Sequence, residues 1–166
     1  MDEDGSVGAS MTYPTEVQAD ACERTKDVSV MLQGRKSLMR IISTNKSLRE
    51  DLGLKPRDSL LNEANVLLRN SAMFRRLGSF EESLSTVTLL SSTTKALNGE
   101  GIKADAAVTY EISNALQDRG ELVSSINMLR ELDHTCDFGA QDIATSPSEI
   151  VATLVSLYER WSGFRD

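Results

Sequence analysis

Apolar residues in this chain recur at spacings of three and four, and run after run stops at a glycine. Leu60, Ala64, Leu67, Ser71 and Phe74 lead to Gly78, and Phe80, Leu84, Val87, Leu90/Ser91 and Leu97 lead to Asn98-Gly99-Glu100-Gly101. Ile102, Ala106, Thr109, Ile112 and Leu116 lead to Gly120, after which Leu122, Ile126, Leu129 and Leu132 begin a further series. A period near 3.6 places each set on one face of an α-helix, and a glycine just past its end supplies the left-handed residue that closes a helix. The three prolines, Pro14, Pro56 and Pro147, all lie outside these runs. An all-β chain of this length would carry more turn residues and more alternation of β-branched and aromatic residues. The pattern therefore predicts an all-α fold.

The remaining elements follow from the same reading. Val28, Met31/Leu32, Leu38/Met39 and Ile42 predict a helix over 27–42 despite Gly34, followed by a short turn over 47–52 that ends at Gly53. Asp58 or Ser59 is the expected N-cap of the next helix, and Ser79-Phe80-Glu81-Glu82 reads as a capping box. A fourth helix is expected over 102–119, a fifth over 121–132, a loop over 133–147, and a last helix from Ser148. That helix carries Ile150, Leu154, Leu157 and Trp161 on one stripe and Val151, Val155 and Tyr158 beside it, a surface that the fifth helix covers only in part. Residues 1–26, acidic and without apolar periodicity, read as a disordered tail or linker, and 27–166 as a helical-repeat segment.

Two junctions superpose. With Gly78 placed on Gly120, Phe80 meets Leu122, Leu84 meets Ile126, Val87 meets Leu129 and Leu90 meets Leu132, a period of 42 residues. Ser83 and Ser125 then occupy the same place, where a small residue lets two helices cross closely. A plain bundle would use similar glycine turns, but the recurrence favours an α-solenoid of antiparallel hairpins, tetratricopeptide- or HEAT-like. The last helix reads as the first half of a further hairpin whose partner is missing, as in a segment of a larger solenoid.

The net charge of −7 is unevenly spread: −5 over residues 1–30, +6 over 31–78 and −8 over 79–166. The basic group (Arg35, Lys36, Arg40, Lys46, Arg49, Lys55, Arg57, Arg69, Arg75, Arg76) falls on several helical faces without interleaved stacking aromatics. It reads as a solvated face, or one matched to an acidic neighbour, ahead of a nucleic-acid surface, and no direct nucleic-acid partner is expected. There is no run of eighteen apolar residues, so no membrane partner is expected, and Met1-Asp2-Glu3-Asp4 does not open a secretory signal. Cys22 and Cys136 stand far apart, which suits a reduced, intracellular chain.

The chemistry-bearing residues do not assemble a site on paper. Asp133-His134-Thr135-Cys136-Asp137 is the densest cluster, but His134 is the only histidine and Cys22 the only other cysteine. A metal site needs further Cys or His ligands, and a His and Cys two residues apart in a loop fix no catalytic geometry. Glu81/Glu82 and Glu131/Asp133 lie at helix ends, where capping and solvation account for carboxylates. Ser91-Ser92-Thr93-Thr94 reads as a polar helix face ahead of a phosphorylation site. A Gly-rich phosphate loop, an Asp-Phe-Gly and a catalytic Asp…Asn loop are absent from the sequence. No catalytic, cofactor-binding or metal-ligating residue is assigned.

The stretch Val108-Thr109-Tyr110-Glu111-Ile112-Ser113-Asn114-Ala115-Leu116-Gln117-Asp118-Arg119-Gly120-Glu121-Leu122-Val123-Ser124-Ser125-Ile126-Asn127-Met128-Leu129-Arg130-Glu131-Leu132 resembles a repeat from the FAT region of the ATM-type kinases. These belong to the phosphatidylinositol-3-kinase-related protein kinases, a family that includes the fungal telomere-maintenance kinase. In that region an acidic helix ending in a Gly or polar turn precedes a Ser/Ala-rich helix reading Ser-Ile-x-Met-Leu. Leu60–Leu97 is similar to the preceding hairpin and Met31–Ile42 to the helix before it, so the resemblance covers roughly 31–132, with Leu154–Phe164 as a continuation. It implies a non-catalytic scaffold segment of a large nuclear Ser/Thr protein kinase acting in DNA-damage signalling and telomere maintenance. That parent would use ATP and Mg, and its FAT helices would pack around the kinase domain and support a homodimer. The alternative from the residues themselves is a free-standing tetratricopeptide-like adaptor that binds a peptide in its concave groove.

Overall fold

A computed structural model describes residues 16–163 of the chain, and side chains from Thr25 onward. Residues 1–15 of the expected tail, and 164–166 at the other end, lie outside the described residues. Seven α-helices follow in order: α1 (Glu16–Thr44), α2 (Lys46–Asp51), α3 (Pro56–Arg76), α4 (Phe80–Gly99), α5 (Asp105–Asp118), α6 (Leu122–Thr135) and α7 (Pro147–Ser162). A single 3-10 turn, Phe138–Ala140, interrupts the last connection, and the described residues contain no strand.

From α3 onward each helix packs on its successor, and the alternate pairs α1 with α3 and α3 with α5 also touch. α3 lies along α4, α5 along α6 and α7 against α6, while α5 contacts both α3 and α4, and α1 lies along α3. That is the neighbour-on-neighbour pattern of an α-solenoid segment. The apolar interior divides accordingly. Ala64, Leu67, Leu90, Leu97, Ile102 and Val108 form one cluster, and Ala106, Leu122, Ile126, Leu129, Leu132, Ile150 and Leu157 form the next. Each fully buried Leu or Ile contributes about 1.5–3 kcal/mol relative to exposure.

The 42-residue repeat is realised atom by atom. After α3, Gly78 (φ 72°) lets the Ser79 amide reach the Phe74 carbonyl at 2.9 Å while its own amide reaches Arg75 at 3.0 Å. After α5, Gly120 (φ 83°) sends the Glu121 amide to Leu116 at 2.9 Å and its own to Gln117 at 3.0 Å. This paired closure satisfies the orphan carbonyls of a helix end and needs a positive φ. Behind each turn the helices cross at two serines: Ser71 and Ser83 hydroxyls lie 3.0 Å apart, and Ser113 and Ser125 hydroxyls 2.7 Å apart, all four buried. Both partners step by the repeat length.

Several local expectations are corrected. α1 begins at Glu16 rather than Asp27, because Glu16-Val17-Gln18-Ala19-Asp20-Ala21 consists mainly of good helix formers although it lacks an apolar stripe. The turn over 47–52 is the short helix α2, capped by the Asn45 side chain accepting from the Leu48 amide. Neither Asp58 nor Ser59 caps α3: Pro56 holds the first helical position, Lys55 precedes it, and Ser59 is buried with its hydroxyl donating to the Pro56 carbonyl. Ser79 occupies the N-cap of α4 without a side-chain hydrogen bond, since its backbone (ψ 68°) is committed to the turn. Leu84, Ile112 and Leu116 are half-buried, the close face of α5 being Ala107, Val108, Glu111 and Ala115 instead.

Candidate interaction surfaces

Three of the ten side chains of the basic group, Arg40, Arg57 and Arg75, form ion pairs with carboxylates on other elements. Arg40 on α1 reaches Glu63 on α3 at 3.2 Å, and Glu63 is 1% exposed. Arg75 on α3 grips Glu111 on α5 with two bonds, Nε to Oε1 at 3.0 Å and Nη2 to Oε2 at 3.1 Å, and adds Asp118 at 3.4 Å. Burial opposes the charge on Arg75; the Glu111 hydrogen bonds and charge, with those of Asp118, outweigh it and raise its pKa above the ordinary value. Glu63 and Glu111 are functional in the sense of holding neighbours in register. Their signal was present in the sequence: each sits inside an apolar stripe, between Leu60 and Leu67 or Val108 and Ala115, where a lone carboxylate needs a partner.

The connection between α6 and α7 also carries contacts. Asp142 accepts from Arg57 at 2.8 Å and from the Lys103 amide at 2.8 Å, and Gln141 accepts from the Ala106 amide at 3.2 Å. Gln141 thereby caps α5, whose own N-cap residue, Ala104, has no side-chain oxygen to offer, while Asp142 holds the backbone of Lys103 just ahead of the helix. The same segment borders an open groove of about 500 Å³ lined by Lys103, Asp105, Met128, Glu131, Cys136 and Gln141, among others.

The cluster around His134 does not become a centre. Asp133, His134 and Thr135 belong to the last turn of α6, and Cys136 follows it, so the expected loop starts later than residue 133. Burial, helped by Asp105 and Asp137, pushes the Cys136 thiol pKa up and keeps it protonated, the opposite of an activated nucleophile. No group of three or more His, Cys, Asp or Glu side chains is gathered for a metal among the described residues. Of the 91–94 hydroxyls, Thr93 is buried and donates to the Leu89 carbonyl, and Ser92 is exposed, donating to the same carbonyl. No described helix is long and apolar enough to cross a membrane.

The most prominent surfaces are the outer faces of the two end helices. On α7, Ile150 and Leu157 point inward and are fully buried, while Val151, Val155 and Tyr158, one turn apart on the other side, stay exposed. On α1, Leu32 and Ser43 face α3 and its neighbours, while Val30 (72% exposed), Met31 (64%), Leu38 (55%) and Ile41 (52%) face outward. Both helices are apolar on two sides, which is how a helix with neighbours on both sides is built.

No family model matches the chain, and no solved structure matches it. Its sequence is similar to serine/threonine-protein kinases of filamentous fungi. It is 27% identical over 130 residues to the serine/threonine-protein kinase tel1 of Aspergillus oryzae and 29% identical over 128 residues to that of Neurospora crassa. It is 26% identical over 129 residues to TEL1 of Gibberella zeae. These alignments take in 77–78% of this chain but only 4% of each relative, so the chain spans a small part of the length of the curated kinases it matches.

Proposed function

We propose that the chain is a non-catalytic scaffold segment, of FAT type, of a large ATM-like Ser/Thr protein kinase that works in the nucleus in DNA-damage signalling and telomere maintenance. It packs against other regions of the same polypeptide, the kinase domain among them, and supports the parent's homodimer. ATP and Mg belong to that parent. What supports the reading is the alignment of more than three quarters of this chain with tel1 kinases, together with a fold whose two end helices both keep an exposed apolar face. Helical repeats with such faces act by being covered by neighbours.

The test is to tag the native locus and measure the mass and activity of what carries the tag. A polypeptide of hundreds of kilodaltons that phosphorylates a Ser/Thr-Gln peptide supports the proposal. A native species of 18.2 kDa, folded and without kinase activity, refutes it and leaves the peptide-binding adaptor, with the groove beside Cys136 as its candidate seat.

A further inference from the structure

Gly34 lies near the middle of α1, has ordinary helical backbone, and a Cβ built on it would meet nothing within 4 Å. Nothing inside the chain therefore requires a glycine there, although a glycine within a helix is less stable than alanine. At about 100° per residue, Gly34 falls in the centre of the outer face of α1, with Val30 and Ile41 on one side of it and Met31 and Leu38 on the other. All four of these side chains are more than half exposed. A bare backbone notch ringed by large apolar side chains is the shape that lets a second helix approach closely and interdigitate.

The edge of this face fixes the chemistry of the second helix. α1 and α3 run antiparallel, since the Asn70 amide donates to the Leu32 carbonyl at 2.9 Å and Arg40 meets Glu63 further along. Arg35 and Arg69 consequently stand at the same end of the groove between the two helices, a groove of about 380 Å³ that they line with Met39, Asn62, Asn65 and Val66. Among the described residues no carboxylate lines that groove, and neither arginine is ion-paired. Between Val30 and Ile41 the sequence has Arg35, Lys36 and Arg40 and no acid. A two-fold-related second copy would set this basic margin against itself, which disfavours it.

We infer that the outer face of α1 is the docking surface for an acidic amphipathic α-helix that crosses at Gly34, its apolar stripe meeting Val30, Met31, Leu38 and Ile41 and its carboxylates meeting Arg35 and Arg69. The inference goes beyond the scaffold reading and stands whether or not the parent is a kinase.

The experiment places a photo-reactive residue at Leu38 in the full-length native polypeptide and maps the crosslinked segment by mass spectrometry after irradiation in cells. The expected partner segment has apolar residues at helical spacing and Asp or Glu along one edge. Gly34→Leu should abolish the crosslink while leaving the circular dichroism and melting of the isolated chain intact or improved. Arg35→Glu should reduce capture several-fold, and exchanging the mapped acid for lysine should restore it. Capture of a second copy of this chain, of lipid or of nucleic acid overturns the inference. So does an unchanged crosslink with Gly34→Leu, or an absence of any crosslink in the native polypeptide.

Discussion

The Arg75–Glu111 pair offers the sharpest test of how one repeat is fixed to the next. Arg75 has 22% of its side chain exposed and Glu111 8%, and two near-parallel bonds join them. Removing one partner of a buried pair costs about 3–5 kcal/mol, because the survivor stays desolvated without compensation. Arg75 keeps Asp118 at 3.4 Å and is 22% exposed, so Glu111→Ala should cost about 2–3 kcal/mol, somewhat below that range. Replacing both, Arg75→Met with Glu111→Leu, removes the desolvation together with the pair and should cost less than about 1 kcal/mol. Urea unfolding followed by circular dichroism reads both, a loss of about 2 kcal/mol moving the midpoint by about 1 M. The raised pKa of Arg75 fixes the sign of any pH effect. A group with a raised folded-state pKa stabilises fully below its unfolded value and loses that only as pH rises through the folded one. Both values lie far above neutrality, so the Arg75 contribution should be flat between about pH 6 and about pH 9. A single-variant loss under about 0.5 kcal/mol, or a double variant as damaged as the single one, would show that the pair does not hold the repeats together.

The packing of the repeats fixes other outcomes. Ile126→Ala, at a site 5% exposed, should cost about 2–5 kcal/mol, and Leu84→Ala, half-buried, distinctly less; equal losses would mean that the two repeats are not packed as described. Gly120→Ala forces a side chain to φ 83° and should cost about 1–2 kcal/mol, whereas Gly34→Ala should raise the melting temperature. The isolated chain should self-associate in sedimentation through the outer face of α7, where Val151, Val155 and Tyr158 are exposed, and Val155→Glu should diminish this; a monomer at high concentration would contradict it. Purified chain should neither hydrolyse ATP nor phosphorylate a Ser/Thr-Gln peptide, and turnover that survives removal of contaminating kinases would overturn that expectation.

The apolar period and the glycine stops were enough to place α3 through α7 and to align their two repeats, because both signals are local. The serine crossing was half legible: Ser83 and Ser125 stood out as small residues at matching positions, but their partners Ser71 and Ser113 lie on the preceding helices and needed the crossing itself. Helix starts were read least well. The apolar series points to a start of α5 at Ile102, yet the helix opens at Asp105 and is capped from Gln141. No rule based on neighbouring residues can find a cap supplied from so far along the chain. The missed start of α1 has the opposite cause, since propensity alone sustains a helix that no apolar stripe announces.

Charge asymmetry along the sequence, +6 over 31–78 and −8 over 79–166, acquires a structural meaning once the pairs are placed. Wherever an ion pair joins two elements among the described residues, the cation comes from the earlier helix and the carboxylate from a later element: Arg40 to Glu63, Arg75 to Glu111 and Asp118, Arg57 to Asp142. A pattern with that single direction would leave carboxylates over at the start of the stack and cations over at its end, and the α1 side departs from it. Arg35 and Arg69 are the cations left over beside α1, and they border the same apolar face that Gly34 opens. If successive layers of such a stack follow one rule, the layer before α1 must supply the cation's partner from the wrong side of the rule. An acidic helix on α1 therefore cannot be one more repeat of the kind seen in α3 to α6. It has to be a helix of different design, with its carboxylates facing forward, and that is a property the crosslinked segment can be read for directly.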